Sequence, residues 1–322
     1  MNLPTLKIGK LIAKIPIIQG GMAVKISTAP LAAAVANEGG IGIIGASGME
    51  SNELKNEIER ARELSSGIIG VNIMVAVSNF KKLVNTAISK NIDLIIAGAG
   101  FSRDIFSLGK ENNIEIVPIV SSLKLAKISE KLGASAIVVE GKEAGGHLGT
   151  DKSMKTLIKK ISRVINIPVI AAGGIINGKD IVEALKLGAD GVQMGSRFVA
   201  SEECDISEIF KKKYINAQKD DFLIIKSPVG LPGQAIKNEF TELLEQGKVK
   251  TGQLCKYQCL KKCSRSFCIM KSLEAARIGN MKEGLVFAGQ EAYRINKILS
   301  VKDIFTKLIN EALDFLQEGA KK

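Results

Sequence analysis

Short apolar runs alternate with amphipathic stretches along the first part of the chain. Ile15–Gln19, Ile41–Gly45, Ile68–Met74, Ile92–Ala97, Ile114–Val120, Ala136–Glu140, Ile167–Ala172 and Gly191–Gly195 are rich in β-branched residues and nearly continuous in hydrophobicity. They recur roughly every 20–30 residues, the pattern of buried parallel strands in βα units. Between them, stretches such as Asn52–Leu64 and Leu123–Leu132 place apolar residues at helical spacing. Gly39-Gly40, Gly133-Ala134 and Gly188-Ala189 each stop a helix and lead into the next strand. Eight such units without a composition break predict a (β/α)8 TIM barrel over residues 1–200, in preference to an open doubly wound sheet. After Arg197 the pattern changes. Ser201–Asp220 is charged and helical, Ile224–Gly233 is a loop rich in Pro and Gly, and Gln234–Glu245 is helical. A cysteine-rich run and a helix-rich tail from Ser272 to Ala320 follow. This predicts a small C-terminal cap domain, 201–289, over the barrel mouth. The last stretch, 290–322, should pack back on the barrel through Ala292–Leu316.

Composition refines the picture. Apolar residues make up 46% of the chain but aromatics only 4%, and tryptophan is absent, so the core must be Ile, Val, Leu and Ala. Lys+Arg minus Asp+Glu is 45 − 33 = +12. That charge favours an anionic partner such as an acidic protein. The aromatic and Arg-rich clusters of nucleic-acid binders are missing, so nucleic acid is not expected. The N-terminal MNLPTLKIGKLIAKIP lacks the apolar run of a signal peptide, and no stretch of about 18 apolar residues suggests a membrane span. A cytoplasmic protein is therefore expected, in which disulfides would be rare. The sequence leaves a homodimer open.

The barrel reading lines up the glycines on one face, because functional residues gather on the loops after the strands. Gly20-Gly21-Met22 follows the first strand, Asn72 closes the third and Gly98-Ala99-Gly100 follows the fourth. His147, the only histidine, follows the sixth within Glu140-Gly141-Lys142-Glu143-Ala144-Gly145-Gly146-His147-Leu148-Gly149. Histidine is the side chain whose ordinary pKa lies nearest neutrality, which suits proton exchange. Gly173-Gly174 follows the seventh strand, and Gln193-Met194-Gly195-Ser196 ends the eighth. Paired loops at strands seven and eight form the usual phosphate site of such barrels, where bare backbone N–H groups receive the anion.

These motifs together resemble a known family. Ile15-Pro16-Ile17-Ile18-Gln19-Gly20-Gly21-Met22-Ala23, Gly70-Val71-Asn72-Ile73-Met74, Glu140 through Gly149, Ala171-Ala172-Gly173-Gly174-Ile175 and Gly191 through Phe198 are similar to the nitronate monooxygenase superfamily, formerly the 2-nitropropane dioxygenases. Gln-Gly-Gly-Met-Ala combined with Glu-Gly-Lys-Glu-Ala-Gly-Gly-His resembles most its FMN-dependent enoyl-acyl-carrier-protein reductase branch. The resemblance implies a non-covalent FMN in the barrel mouth. Gly20, Gly21 and Met22 would lie along the isoalloxazine, Asn72 near its polar edge, and Glu140 and Gly145 at the ribityl side. Gly173, Gly174, Gln193, Met194, Gly195 and Ser196 would hold the phosphate end, and His147 would be the catalytic group facing the substrate. Ser196 stands where the family often carries Thr, and its hydroxyl can make the same phosphate bond.

Cys255, Cys259, Cys263 and Cys268 have the spacing C-x3-C-x3-C-x4-C. The first three would share one face of a helix. Their Lys-, Gln- and Ser-rich surroundings make a poor core, so a metal centre is expected, either a four-cysteine zinc site or an iron–sulfur cluster, with free thiols as the remaining alternative. The spacing is that of neither zinc ribbons nor common ferredoxins. The resemblance implies a 4Fe-4S cluster, because a branch acting on carrier-protein thioesters carries one beside FMN. Two chemistries follow. One is NAD(P)H-dependent reduction of an enoyl thioester borne by an acyl carrier protein. The other is oxidation of a small alkyl nitronate with O2, needing no pyridine nucleotide.

Overall fold

The computed structural model describes residues 3–249, 255 and 257–320. A hairpin of β1 (Leu6–Ile8) and β2 (Leu11–Ala13) opens the chain. The barrel strands are β3 (Ile17–Gln19), β4 (Ile41–Gly45), β5 (Ile68–Met74), β6 (Leu94–Gly98), β7 (Glu115–Val120) and β8 (Ile137–Glu140). A two-residue strand, β9 (Gly146–His147), precedes the last two, β10 (Val169–Ala172) and β11 (Gly191–Met194). All eight barrel strands pair in parallel and close into one barrel in the order β10-β11-β3-β4-β5-β6-β7-β8. The (β/α)8 barrel expected from the alternation of apolar runs is the fold observed.

Strand alternation sorts the side chains into two layers. Ile18, Ile41, Ile43, Leu94, Ile96, Val117, Ala136, Val138 and Ile170 fill the barrel interior. Ile17, Ile44, Val71, Ile73, Ile95, Ile137, Val139 and Val192 face the helices. Leu6, Ile8 and Ala13 of the hairpin join the interior set and close the N-terminal end of the barrel. That plug was not foreseen, because three-residue strands carry too little periodicity to be seen. The same alternation decides what stands at the open end. In β5, β8 and β11 the next inward positions are Asn72, Glu140 and Gln193, three polar groups at the mouth of an otherwise apolar barrel.

Two details show how small residues set the layers. A Cβ on Gly42 would come within 1.8 Å of the Ala32 carbonyl oxygen, so the alanine-rich helix Ala29–Asn37 can lie directly on β4 only because position 42 is bare. Gly40 leaves room for the Phe305 ring. Phe305, with Val301, Ile304 and Leu308 on the last helix, Val301–Ala320, is buried in the strand–helix layer. Full burial of such a ring stabilises by about 1.5–3 kcal/mol.

The region after the barrel departs from the expectation in part. Ile224–Gly233 is a β-hairpin rather than a loop: β12 (Phe222–Lys226) pairs antiparallel with β13 (Pro232–Ile236), and the helix begins only at Glu239. Pro and Gly there serve the turn and the edge of the hairpin, not an open loop. β13 also pairs with β9, placing Gly233 opposite His147 and Gln234 opposite Gly146. The segment carrying His147 is thus the third strand of a small sheet built with residues 222–236. Among the described residues, no helix is long and apolar enough to cross a membrane.

Candidate active site

A cavity of about 250 Å³ opens at the C-terminal end of the barrel. Gly20, Gly21, Met22, Asn72, Glu140, Gly145, His147, Gly173, Gly174, Gln193, Met194, Gly195 and Ser196 all line it. Residues from beyond the barrel complete the wall, including Phe210, Tyr214, Leu273, Leu285 and Phe287. No lysine or arginine does so among the described residues.

Each loop is held by bonds that leave its ligand-facing groups free. At β3, the Gln19 amide donates to Gly20 O, and its Oε1 accepts from Ile43 N–H at 2.9 Å, replacing a ladder bond that the short β3–β4 pairing lacks. Met22 N–H donates to Ser27 Oγ at 2.8 Å, fixing the turn after Gly21. A Cβ on Gly21 would stand 2.2 Å from Asn72 Cβ, so that glycine admits the inward asparagine. Gly173 and Gly174 take φ of +106° and +74°, which only glycine adopts freely. Ser196 Oγ accepts from Gly289 N–H at 3.0 Å, which leaves its own hydrogen available to a ligand. Next to it, a Cβ on Gly195 would meet nothing within 4 Å.

The loop from Gly141 to His147 is pinned from both sides. The Glu143 carboxylate accepts from Met154 N–H at 2.9 Å, and the Gln234 amide donates to Ala144 O at 2.8 Å. His147 Nε2 lies 2.7 Å from Ser227 Oγ, and the Phe287 ring meets the imidazole edge-on, with centroids 5.2 Å apart. Burial lowers the His147 pKa from 6.5 to about 4, so the ring is neutral at pH 7. Burial raises Glu140 from 4.5 to about 8, with no charged neighbour opposing it, so this carboxyl is protonated at pH 7. The Gln193 Oε1 is buried without a hydrogen-bond partner among the described residues. Leaving such an atom unpaired costs about 1–3 kcal/mol, which a donor on a bound ligand would recover. Ser227, Phe287 and Gln234 were not anticipated. They lie far along the chain from the motifs, and the β9–β13 pairing, the β12–β13 hairpin and the bridge from Ala235 to Phe287 bring them to His147.

The nitronate monooxygenase family model matches residues 5–91 and 75–311 of the chain. The chain belongs to the nitronate monooxygenase family. A family member from Staphylococcus aureus, named "probable nitronate monooxygenase", is 31% identical over 94% of this chain and 95% of its own length. The structure of FabK from Thermotoga maritima superposes with a TM-score of 0.88 at 33% identity, covering 96% of both chains. The nitroalkane oxidase of Streptomyces ansochromogenes shares the fold, with a TM-score of 0.82 at 21% identity over 95% of this chain and 98% of the other. Membership of the family, with its FabK-like branch, agrees with the resemblance carried by the barrel motifs.

The cysteine run departs from the expectation. Among the described residues no group of three or more His, Cys, Asp or Glu side chains is arranged to hold a metal ion, so the metal centre expected at Cys255, Cys259, Cys263 and Cys268 is not supported. The reason is local. Gln258 and Arg265 take left-handed φ of 43° and 57°, so the described part of the run is not helical and offers no shared face. Cys255 and Cys263 are exposed. The run is instead stitched over the loop after β5, through Ser78 N–H to Cys259 O at 3.0 Å and Lys261 N–H to Ala76 O at 2.9 Å. Burial pushes the Cys259 thiol up to about 11, and Cys268, Cys255 and Cys263 add to that push.

Proposed function

We propose that the protein is an FMN-dependent oxidoreductase that reduces the enoyl thioester of an acyl carrier protein at the expense of NAD(P)H. The carrying observation is the electrostatics of the cavity. Its histidine and its inward carboxyl are both neutral at pH 7, the other acidic side chains in the wall are Glu143 and Glu291, and it has no lysine or arginine in its described wall. At the His147 end an uncharged thioester suits such a wall, whereas an anionic nitronate would lose its hydration there without gaining a cation or the backbone N–H groups that the Gly173-Gly174 loop offers a phosphate.

The cavity fits FMN on three counts. The bare position at Gly195 and the left-handed Gly173-Gly174 pair leave space and backbone N–H groups for a phosphate. The free hydrogen of Ser196 supplies a further donor. The unpaired Gln193 Oε1 and the Asn72 amide offer polar partners to a flat heterocycle, with Gly20, Gly21 and Met22 beside it and Glu140 and Gly145 along the ribityl chain. When bound, FMN supplies hydride chemistry, carrying two electrons from NAD(P)H to the β-carbon of the enoyl group. The residues do the rest. The neutral His147 ring, or a water it orders, donates a hydrogen bond to the thioester oxygen and helps bring a proton to the α-carbon. Phe210, Tyr214, Leu285 and Phe287 exclude water from the acyl chain. The net charge of +12 favours encounter with an acidic carrier protein.

Product formation tests the reading. With NADH or NADPH and a crotonyl thioester, the flavin-loaded protein should yield the butyryl thioester. The alternative is nitronate oxidation, favoured by the names of the curated relatives. It would replace this reading if crotonyl thioester were left intact with both nucleotides while an alkyl nitronate was consumed with O2.

A further inference from the structure

We propose that Ser227 is a positioning residue that fixes the proton of His147 on Nδ1, so that the histidine meets the substrate as a single tautomer. The inference deepens the enoyl-reductase reading and, for its kinetic part, rests on it.

Ser227 follows β12 and begins the turn into β13. Its backbone N–H donates to Leu231 O at 3.3 Å, and its own carbonyl accepts from Gly230 N–H at 3.0 Å. The residue is buried, with 6% of its surface exposed. Its hydroxyl has two neighbours: Val229 N–H, which donates to Oγ at 3.3 Å, and His147 Nε2 at 2.7 Å. A serine hydroxyl has one hydrogen to give. The Val229 contact uses a lone pair, so the hydrogen needs an acceptor, and Nε2 is the one in reach among the described residues. If Nε2 carried the proton, the hydroxyl hydrogen would be buried without an acceptor. That state is disfavoured by about five- to 150-fold, the equivalent of about 1–3 kcal/mol. Ser227 therefore donates to Nε2, and the neutral ring holds its proton on Nδ1. Two further contacts help to hold the ring in place. The β9–β13 pairing sets the His147 backbone opposite Gly233, and the Phe287 ring stands edge-on to the imidazole.

The chain has a single histidine, which makes the test unambiguous. Nitrogen-15 NMR of histidine-labelled protein, as purified with its flavin, reads both ring nitrogens directly at pH 7. The expected spectrum shows a protonated Nδ1 and an unprotonated Nε2. Ser227→Ala should shift the proton toward Nε2, and Ser227→Thr, which keeps the hydroxyl, should restore the wild-type spectrum. In turnover of an enoyl thioester, Ser227→Ala should lower kcat about tenfold while FMN affinity is kept. A wild-type ring protonated on Nε2, or an Nδ1 tautomer that survives in Ser227→Ala, would overturn the assignment. If Ser227→Ala fails to fold, the wild-type and Ser227→Thr spectra still decide it. The spectrum needs no substrate, so a protein that proves to oxidise nitronates would fail the functional reading and leave the tautomer result standing.

Discussion

Replacing Gly195 with Ala separates the cofactor cradle from the scaffold. Gly195 has φ −97° and ψ −69°, a conformation alanine adopts without strain, and a Cβ there would meet no atom within 4 Å. The fold should therefore be unharmed, or stabilised by about 0.4–1 kcal/mol through the unfolded chain. The same methyl group would project into the space assigned to the FMN phosphate. Overfilling a packed site by one methyl typically costs about 1–3 kcal/mol, which is about a five- to 150-fold weaker Kd. Gly21→Ala is the counter-case. Its Cβ would stand 2.2 Å from Asn72 Cβ, so it should lower stability with or without flavin. The assay pairs FMN titration of the apoprotein, read by quenching of flavin fluorescence, with urea melts of the apoprotein. If Gly195→Ala binds FMN like the wild type, the phosphate does not sit at Gly195. If its apoprotein melts early, the space beside Gly195 is not free.

His147→Ala should keep FMN and lower turnover by about two to four orders of magnitude, the range of an acid–base group, in steady-state assays of enoyl reduction. Glu140 gives a stability prediction with a definite sign. Its pKa is raised from 4.5 to about 8, so its contribution is fully present below pH 4.5 and is lost as pH rises toward 8. At about 1.4 kcal/mol per unit the loss approaches about 5 kcal/mol. Glu140→Gln should therefore gain on the wild type between pH 5 and pH 8 in apoprotein urea melts, and a constant gap would refute the assignment. Iodoacetamide should modify the exposed Cys255 and Cys263 first and leave Cys204 untouched until unfolding, since burial pushes that thiol up to about 12. Protected thiols with about four irons and four acid-labile sulfides per chain would instead show that the run closes on a cluster.

The barrel was legible because its signal is repeated. Eight apolar runs alternating with helical stretches point to one architecture, and that repetition outweighs errors of two or three residues at any strand end. The cavity wall was legible for a related reason: in a barrel the strand ends converge, so motifs distant in sequence must be neighbours. The partners of His147 were not. Ser227 lies 80 residues downstream in a Pro- and Gly-rich stretch that reads as a loop. Its role depends on β12 pairing with β13 and β13 with the two-residue β9, too short to show periodicity. The cysteine spacing suggested a helix face, and the left-handed residues Gln258 and Arg265 remove it. Neither is a type that predicts such a backbone.

The central claim, a flavin that takes electrons from a pyridine nucleotide and gives them to a neutral enoyl thioester, is tested most directly by its two half-reactions under anaerobic conditions. The yellow FMN-loaded protein is mixed with NADH or NADPH and its visible absorbance followed, and crotonyl thioester is then added. The account predicts that one of the nucleotides bleaches the flavin bands and that the thioester restores them without O2. Bands that neither nucleotide bleaches, but that an alkyl nitronate bleaches and O2 restores, would contradict it.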